Sequence, residues 1–493
     1  MKNKKAVVIG GGLGGISAAL SLKNKGWEVE LYEKNSHLGG KLNVLKKEGF
    51  SFDLGPSILT FPHIFEKLFT DAGKSMQDYF KIIKPKVHWR CFFEDGERID
   101  LLEDIDKIKE AGSSLSDRDI KDLKGFLAYS EKLYNQVESG YFSKGVDNFK
   151  QALKAYGIWK SIFNLDFFST MHRGVSRRIK NTHLQEVMDF FVKYVGSSPY
   201  RAPAVLNMIP YGQFHFGLWY VRGGMYNIAL GLKKLMQETG VEINLNKEIK
   251  KLVTVKERIT KAITCDGEEI RADIFVSNME VIPAYRKLTG EKNSFIKKYD
   301  KFEPACSGLV LHLGTNKKFN SLAHHNFFFS NDPEKHFDEV FNQKKLPSDP
   351  TIYLVAPKRS DKSVAPEGCD NIKILPHIPY IQDKPFKRED YMLLRERVLN
   401  KLERMGMEGL KKSIVVEDMW TPEDIKENYY SNRGSIYGVV SDKKKNLGFK
   451  APKKSGKYSN LYFAGGSVNP GGGMPMVILS GQQLAGIVEK DND

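Results

Sequence analysis

Cysteine is scarce in this chain, and its placement excludes two common frameworks. Cys91, Cys265, Cys306 and Cys369 are the four cysteines among 493 residues, and they are far apart with no C-x-x-C spacing. That argues against structural disulfides and a thiolate zinc site, and for a reduced, cytosol-facing protein. Long hydrophobic runs are missing too. No stretch reaches the roughly 18 apolar residues of a spanning helix. The opening Met-Lys-Asn-Lys-Lys passes straight into an apolar run, which leaves no room for a signal peptide. No internal repeat or low-complexity linker stands out. The formal net charge is +16, yet no long basic block or nucleic-acid motif accompanies it. Nucleic acid is therefore not an expected partner. The lysines either solubilise the surface or favour an anionic membrane face. Iron held by two histidines and a carboxylate is also disfavoured. No H-x-D/E run stands at His312 or His324, a lone His336-Phe337-Asp338 does not supply a second histidine, and the adjacent His324 and His325 would face opposite sides of a strand. No metal is expected.

Glycine, by contrast, is concentrated where it carries chemistry. Ala6-Val7-Val8-Ile9 runs into Gly10-Gly11-Gly12-Leu13-Gly14-Gly15, and an Ala/Leu-rich segment follows from Ile16. The order is strand, tight turn, helix. Gly10, Gly12 and Gly15 fill the three positions of G-x-G-x-x-G: one for the turn, one for close approach of a pyrophosphate, one for helix–strand packing. The helix N-terminus offers N–H groups and partial positive charge to the phosphates. Gly26 reads as a helix stop, residues 28–32 as a second strand, and Glu33 lies just past its end. An acid about 20 residues beyond the glycines is placed to grip a ribose 2′-hydroxyl, so the expected ligand carries an unphosphorylated adenosine.

The length calls for two or three domains. Residues 58–80 show helical spacing, and residues 89–93 and 98–102 form a hairpin around Asp95-Gly96. Ser116 with Asp119 approximates a capping box for a helix over 115–138. Residues 156–168 are rich in aromatics, including Trp159, Phe163 and Phe167, and precede His172, Arg173, Arg177, Arg178 and Lys180. Such a segment suits either a helix lying in the headgroup layer or an aromatic core helix with a solvated basic end. Further helix and strand patterns follow over 225–238, 241–245, 249–255 and 272–277. Candidate strands at 309–313, 324–329, 351–355 and 374–381 come next, the last confined to an edge by Pro376 and Pro379. The expected architecture is α/β: a discontinuous Rossmann-like dinucleotide domain (1–85, 219–300, 446–493) with an inserted α+β substrate domain (86–218, 301–445).

Residues 33–41, Glu-Lys-Asn-Ser-His-Leu-Gly-Gly-Lys, and Phe52-Asp53-Leu54-Gly55-Pro56-Ser57 resemble the flavoprotein superfamily of amine oxidases and carotenoid desaturases. The resemblance implies FAD, held by Ile9, Gly10, Gly11, Gly12, Leu13, Gly14, Gly15, Glu33, Lys34, Gly39, Gly40, Lys41, Gly55, Pro56 and Ser57. Near the C-terminus, Gly465-Gly466-Ser467-Val468-Asn469-Pro470-Gly471-Gly472-Gly473-Met474-Pro475-Met476-Val477 precedes an apolar helix. Three consecutive glycines let backbone lie against a flat ring, and the helix N-terminus can face the flavin edge where reduction places negative charge. Gly466, Pro475, Met476 and Val477 complete the expected FAD site.

The whole chain resembles bacterial carotenoid desaturases and oxidases, and most of all the diapocarotenoid terminal oxidases of the diaponeurosporene oxidase type. Besides the C-terminal loop, residues 322–329, 375–380 and 420–425 carry that finer match. Desaturases of this family usually carry Thr-His-Pro-Gly where this chain has Val468-Asn469-Pro470-Gly471. An amide can orient a water but cannot act as a base near neutral pH. Asn469 is the sole catalytic candidate, and a turn-capping role is its structural alternative. The resemblance implies oxidation of a terminal methyl of a C30 carotenoid to an aldehyde. A desaturase and a non-catalytic FAD-bound lipid carrier are the alternatives. It also implies a lipid-soluble polyene substrate, a peripheral position on the inner face of the cell membrane, and partner enzymes of carotenoid synthesis.

Overall fold

The computed structural model describes residues 4–143, 145–156, 166 and 169–492. Five parallel strands form its first sheet, in the order Leu461–Phe463, Ile274–Ser277, Lys5–Ile9, Glu28–Tyr32, Glu242–Asn244. A parallel sheet needs cover on both faces. The alternation along the first strand supplies it: Ala6 and Val8 join the core beneath the helices Leu13–Asn24 and Met474–Asn492. Val7 and Ile9 point the other way, into a core shared with the antiparallel strands Ile249–Val255 and Arg258–Thr264. Ser17 Oγ donates to Ile478 O at 2.6 Å, tying the first helix to the last.

A second sheet of eight strands is mostly antiparallel. Its path runs Ile414–Trp420, Val310–Thr315, Asp370–Ile378, Ile352–Val355, His325–Phe328, Trp89–Phe92, Arg98–Leu101, and Ser307–Gly308 also pairs with Asp370–Ile378. Among the described residues its one parallel pairing joins His325–Phe328 to Trp89–Phe92. One core packs this sheet against Asp117–Val137 and Thr182–Phe190, and a separate core packs it against Arg388–Arg404. The fold is α/β, with a parallel sheet of the Rossmann type beside an α+β part. Ser116 and Asp119 form the capping box at the start of Asp117–Val137.

The segment 58–80 is not one helix: Pro62–Thr70 starts with Pro62 in its first turn, and Met76–Asp78 is a separate 3-10 turn beyond Gly73. The strand Asp370–Ile378 is not an edge. It is paired on both sides, with Ile352 opposite Pro376 on one of them. On the other side Gly308 faces His377 and Leu311 faces Ile374, so Leu309 falls opposite Pro376. Strand pairing is interrupted at Leu309, between Ser307–Gly308 and Val310–Thr315. The sheet gives up a ladder bond at the missing N–H and keeps the strand central. The aromatic segment 156–168 lies almost wholly outside the described residues; the helix Phe149–Tyr156 leads up to it.

Candidate functional site

A cavity of about 500 Å³ runs from the ends of the parallel strands to the second sheet. Ile9, Gly10, Gly12, Leu13, Glu33, Lys34, Gly39, Gly40, Lys41, Gly55, Pro56 and Ser57 line it, with Gly466, Pro475, Met476 and Val477 from the far end of the chain. The crevice lies where strand order reverses on either side of Lys5–Ile9, the usual place for a ligand in an open parallel sheet. Gly11, Gly14 and Gly15 do not line it. They pack instead: Gly14 against the backbone of Gly465, and Gly15 against Gly10 O.

The residues present fit a dinucleotide. Gly12 caps Leu13–Asn24 without a side-chain hydrogen bond, and no acid sits in the helix's first turn. Its N-terminal dipole is therefore left to an anion in the cavity. A Cβ on Gly12 would stand 2.5 Å from Asn278 Oδ1, so only bare backbone fits between Asn278 and the ligand side. Glu33 is buried, and its carboxylate accepts from Gly11 N–H at 2.7 Å and Asn35 N–H at 2.8 Å. These bonds fix the acid against the glycine turn. Lys34 lies over the Tyr430 ring at 4.5 Å, and burial lowers its pKa, partly offset by Glu33. Lys41 Nζ donates to Ser435 O at 2.8 Å and stands 3.7 Å from Glu280. Burial raises the Glu280 carboxyl against the pull of Lys41.

Asn278 is the residue that sequence reasoning passed over. It follows the buried strand Ile274–Ser277, and its N–H donates to Ile9 O at 2.8 Å while Nδ2 donates to Ala464 O at 2.8 Å. One residue, through its backbone N–H and its side-chain amide, thus joins both glycine turns. The signal was its place at the carboxyl end of a parallel strand.

Asn469 stands in the wall, not in the cavity. It is buried, its Nδ2 donates to Asp147 O at 3.0 Å and Lys450 O at 3.2 Å, and its Oδ1 accepts from Tyr141 Oη at 2.7 Å and Lys450 N–H at 2.9 Å. An amide so engaged organises its loop and has no donor to spare for a reacting group. Of the histidines weighed for iron, His312 pairs with Asp418, His324 with Ser360 and His325 with Tyr353; the His324 and His325 rings lie 4.3 Å apart and do not diverge as expected, because the strand begins only at His325.

The other half of the lining is apolar. Phe61, Tyr134, Val137, Phe142, Val205, Met208 and Ile209 contribute from the helices Asp117–Val137 and Met208–Phe216 and their neighbours. Where this half meets the sheet, Tyr353 and Lys373 face the cavity beside Lys193, Tyr194 and Tyr437. Lys373 Nζ donates to Gly55 O. Burial lowers its pKa to about 8 although Asp53 pulls the other way, and burial raises Asp53 to about 6. Such a cavity can hold a charged dinucleotide along the glycine turns and a long apolar chain against its isoalloxazine end.

Comparison with known proteins agrees with this chemistry. The family described as flavin containing amine oxidoreductase matches residues 13–488. A 4,4'-diapolycopene oxygenase of Methylomonas sp is 55% identical over 481 residues, 97% of each chain. A 4,4'-diaponeurosporene oxygenase of Staphylococcus haemolyticus is 51% identical over 486 residues, 98% of this chain and 97% of that protein. Among solved structures, an oxidoreductase from Methanosarcina mazei superposes with a TM-score of 0.66 at 15% identity, covering 98% of this chain and 100% of that one. Putrescine oxidase bound to putrescine gives 0.65 at 12% identity, covering 99% of each. At these identities the two structures speak for the fold alone.

Proposed function

The chain belongs to the flavin containing amine oxidoreductase family, and from that premise we propose that it oxidises a terminal methyl group of a C30 carotenoid to an aldehyde. It is an FAD-dependent oxidoreductase. The observation that carries the substrate is the identity of 50% and more, over nearly the full length, to oxygenases of diapolycopene and diaponeurosporene. The apolar half of the cavity supports it, because a polyene has nothing to offer polar walls.

FAD, when bound, supplies an acceptor for hydride from the allylic methyl. Glu33, the Gly12 turn and the uncapped helix would hold its adenosine and pyrophosphate, and the backbone at Gly466 and Pro475 would flank its ring. The chain's own contribution is to align the methyl and keep bulk water away while positive charge spreads along the polyene. A single water adding at the chain end, with loss of a proton, then gives an alcohol, and loss of a second hydride and the hydroxyl proton gives the aldehyde; each of the two two-electron oxidations requires an external electron acceptor to restore the cofactor.

Several finer assignments belong to the same proposal. Residues 1–85, 219–300 and 446–493 act as the FAD-binding domain, and 86–218 with 301–445 as the substrate domain. The two sheets draw their strands from those separate stretches, which supports the division. No helix among the described residues is long and apolar enough to cross a membrane. A peripheral position on the inner face of the cell membrane would give access to a lipid-soluble substrate and to partner enzymes of its synthesis.

The test is expression with a C30 polyene in a host without carotenoids. An aldehyde is expected. A longer chromophore without oxygen would make the protein a desaturase, and unchanged pigment would make it a carrier. Heavy-oxygen water should label the intercepted first alcohol; label from oxygen gas would refute capture of water while leaving the substrate class intact.

A further inference from the structure

Lys193 is a buried lysine that the functions above leave without a task. It sits in the apolar run Phe190-Phe191-Val192-Lys193-Tyr194-Val195 and is 4% exposed. Four aromatic rings surround its Nζ: Tyr353 at 4.1 Å, Tyr194 at 4.5 Å, Phe327 at 4.8 Å and Trp89 at 4.9 Å from the ring centroids. Among the described residues its Nζ makes no ion pair or hydrogen bond, and no carboxylate acts on it. Lysine is almost never buried without a partner. Ring faces compensate part of the lost hydration, but they leave every N–H without an acceptor.

The placement supplies the missing acceptor. Lys193, Tyr194 and Tyr353 line the same cavity as Ser57 and Lys373. Lys373, whose charge is felt at Lys193, reaches Gly55 O on the segment expected to pass the flavin. The free amine is thus at the reacting end of the apolar chamber. Burial and the nearby Lys373 lower its pKa well below that of a free lysine.

We propose that Lys193 reads the oxygenated end of the polyene. Its N–H donates to the oxygen of the terminal alcohol or aldehyde, while the four rings pack on the last conjugated carbons. A hydrocarbon end enters on the rings alone; once oxygen is attached, the end gains a hydrogen bond that holds it for the second oxidation. This inference rests on the terminal-oxidation function proposed above and names Lys193 as its specificity-determining residue.

The experiment uses the full-length flavin-loaded protein in detergent micelles, titrated with a C30 polyene hydrocarbon and with the matching aldehyde. Wild type should bind the aldehyde with a red shift relative to the same aldehyde in apolar detergent. Lys193→Met should lose roughly ten-fold in aldehyde affinity, keep hydrocarbon affinity within about two-fold, abolish the shift, and accumulate alcohol in turnover. Lys193→Gln, which restores an N–H donor, should recover part of the shift. Absence of the shift in wild type overturns the proposal whatever the variants do. Equal losses for both ligands in Lys193→Met overturn it as well, since they would mark a merely structural lysine. Wild type that binds the aldehyde with the shift but never oxidises the hydrocarbon would defeat the proposed reaction and leave the oxygen site standing.

Discussion

Replacing Glu33 by Gln tests both the loop and the ligand contact at one atom. Each carboxylate oxygen takes one backbone N–H, from Gly11 at 2.7 Å and from Asn35 at 2.8 Å. A glutamine amide has one oxygen and one NH2, so in either orientation one of these donors meets another donor. Loss of a charge-assisted bond at a buried donor costs about 1.5–3 kcal/mol. The flavin-free protein should lose about that much in urea denaturation, because the bonds exist without ligand. If ribose hydroxyls donate to the same oxygens, FAD binding should fall by a further comparable amount, roughly ten- to hundred-fold in Kd. Quenching of flavin fluorescence on titration into flavin-free protein gives that number directly. Glu33→Ala should be worse in stability, since both donors are stranded. Unchanged urea stability together with unchanged Kd in Glu33→Gln would refute the assignment, and another residue would have to hold the ribose.

Other variants probe separate links. Gly12→Val adds a branched side chain where a Cβ alone would stand 2.5 Å from Asn278 Oδ1, so the purified protein should carry no flavin; a stoichiometric yellow product would contradict the pyrophosphate assignment. Burial pushes Asp53 up to about 6 from 3.8, against the pull of Lys373. Between those pH values the folded state binds the proton that the unfolded chain has released, so its contribution to stability falls as pH rises through the window, by as much as about 3 kcal/mol for roughly two pH units. Melting temperatures at pH 4.5 and 6.5 should therefore diverge less in Asp53→Asn than in wild type, and parallel pH trends in the two proteins would exclude the effect. Serine at Trp159, Phe163 and Phe167 should release the protein from anionic liposomes, and salt should weaken the wild-type association. Failure of wild type to bind such liposomes would leave the aromatic segment as core.

Sequence by itself determined those features whose partners lie within a few residues. The Gly10 turn, the helix after it and the capping box of Ser116 and Asp119 are short-range consequences of backbone freedom and hydrogen-bond donors, whereas Glu33, bonded to Gly11 across 22 residues, was legible from the strand–turn–helix–strand spacing. The resemblance of the C-terminal glycine loop to known flavoproteins added the second wall of the cavity. Tertiary structure alone decided which distant segments meet. Pro376 reads locally as an edge residue, yet Asp370–Ile378 is central because the lost ladder bond falls at a break in its partner strand. Asn469 reads locally as either a catalytic amide or a turn cap, and only the fold shows that Asp147, Tyr141 and Lys450 engage its amide. Lys193 acquires its ring cage from residues 89, 194, 327 and 353, three of which come from strands of one sheet. Burial and partnership are sums over neighbours brought from hundreds of residues away, and a lone lysine in an apolar run shows that something must compensate it without showing what.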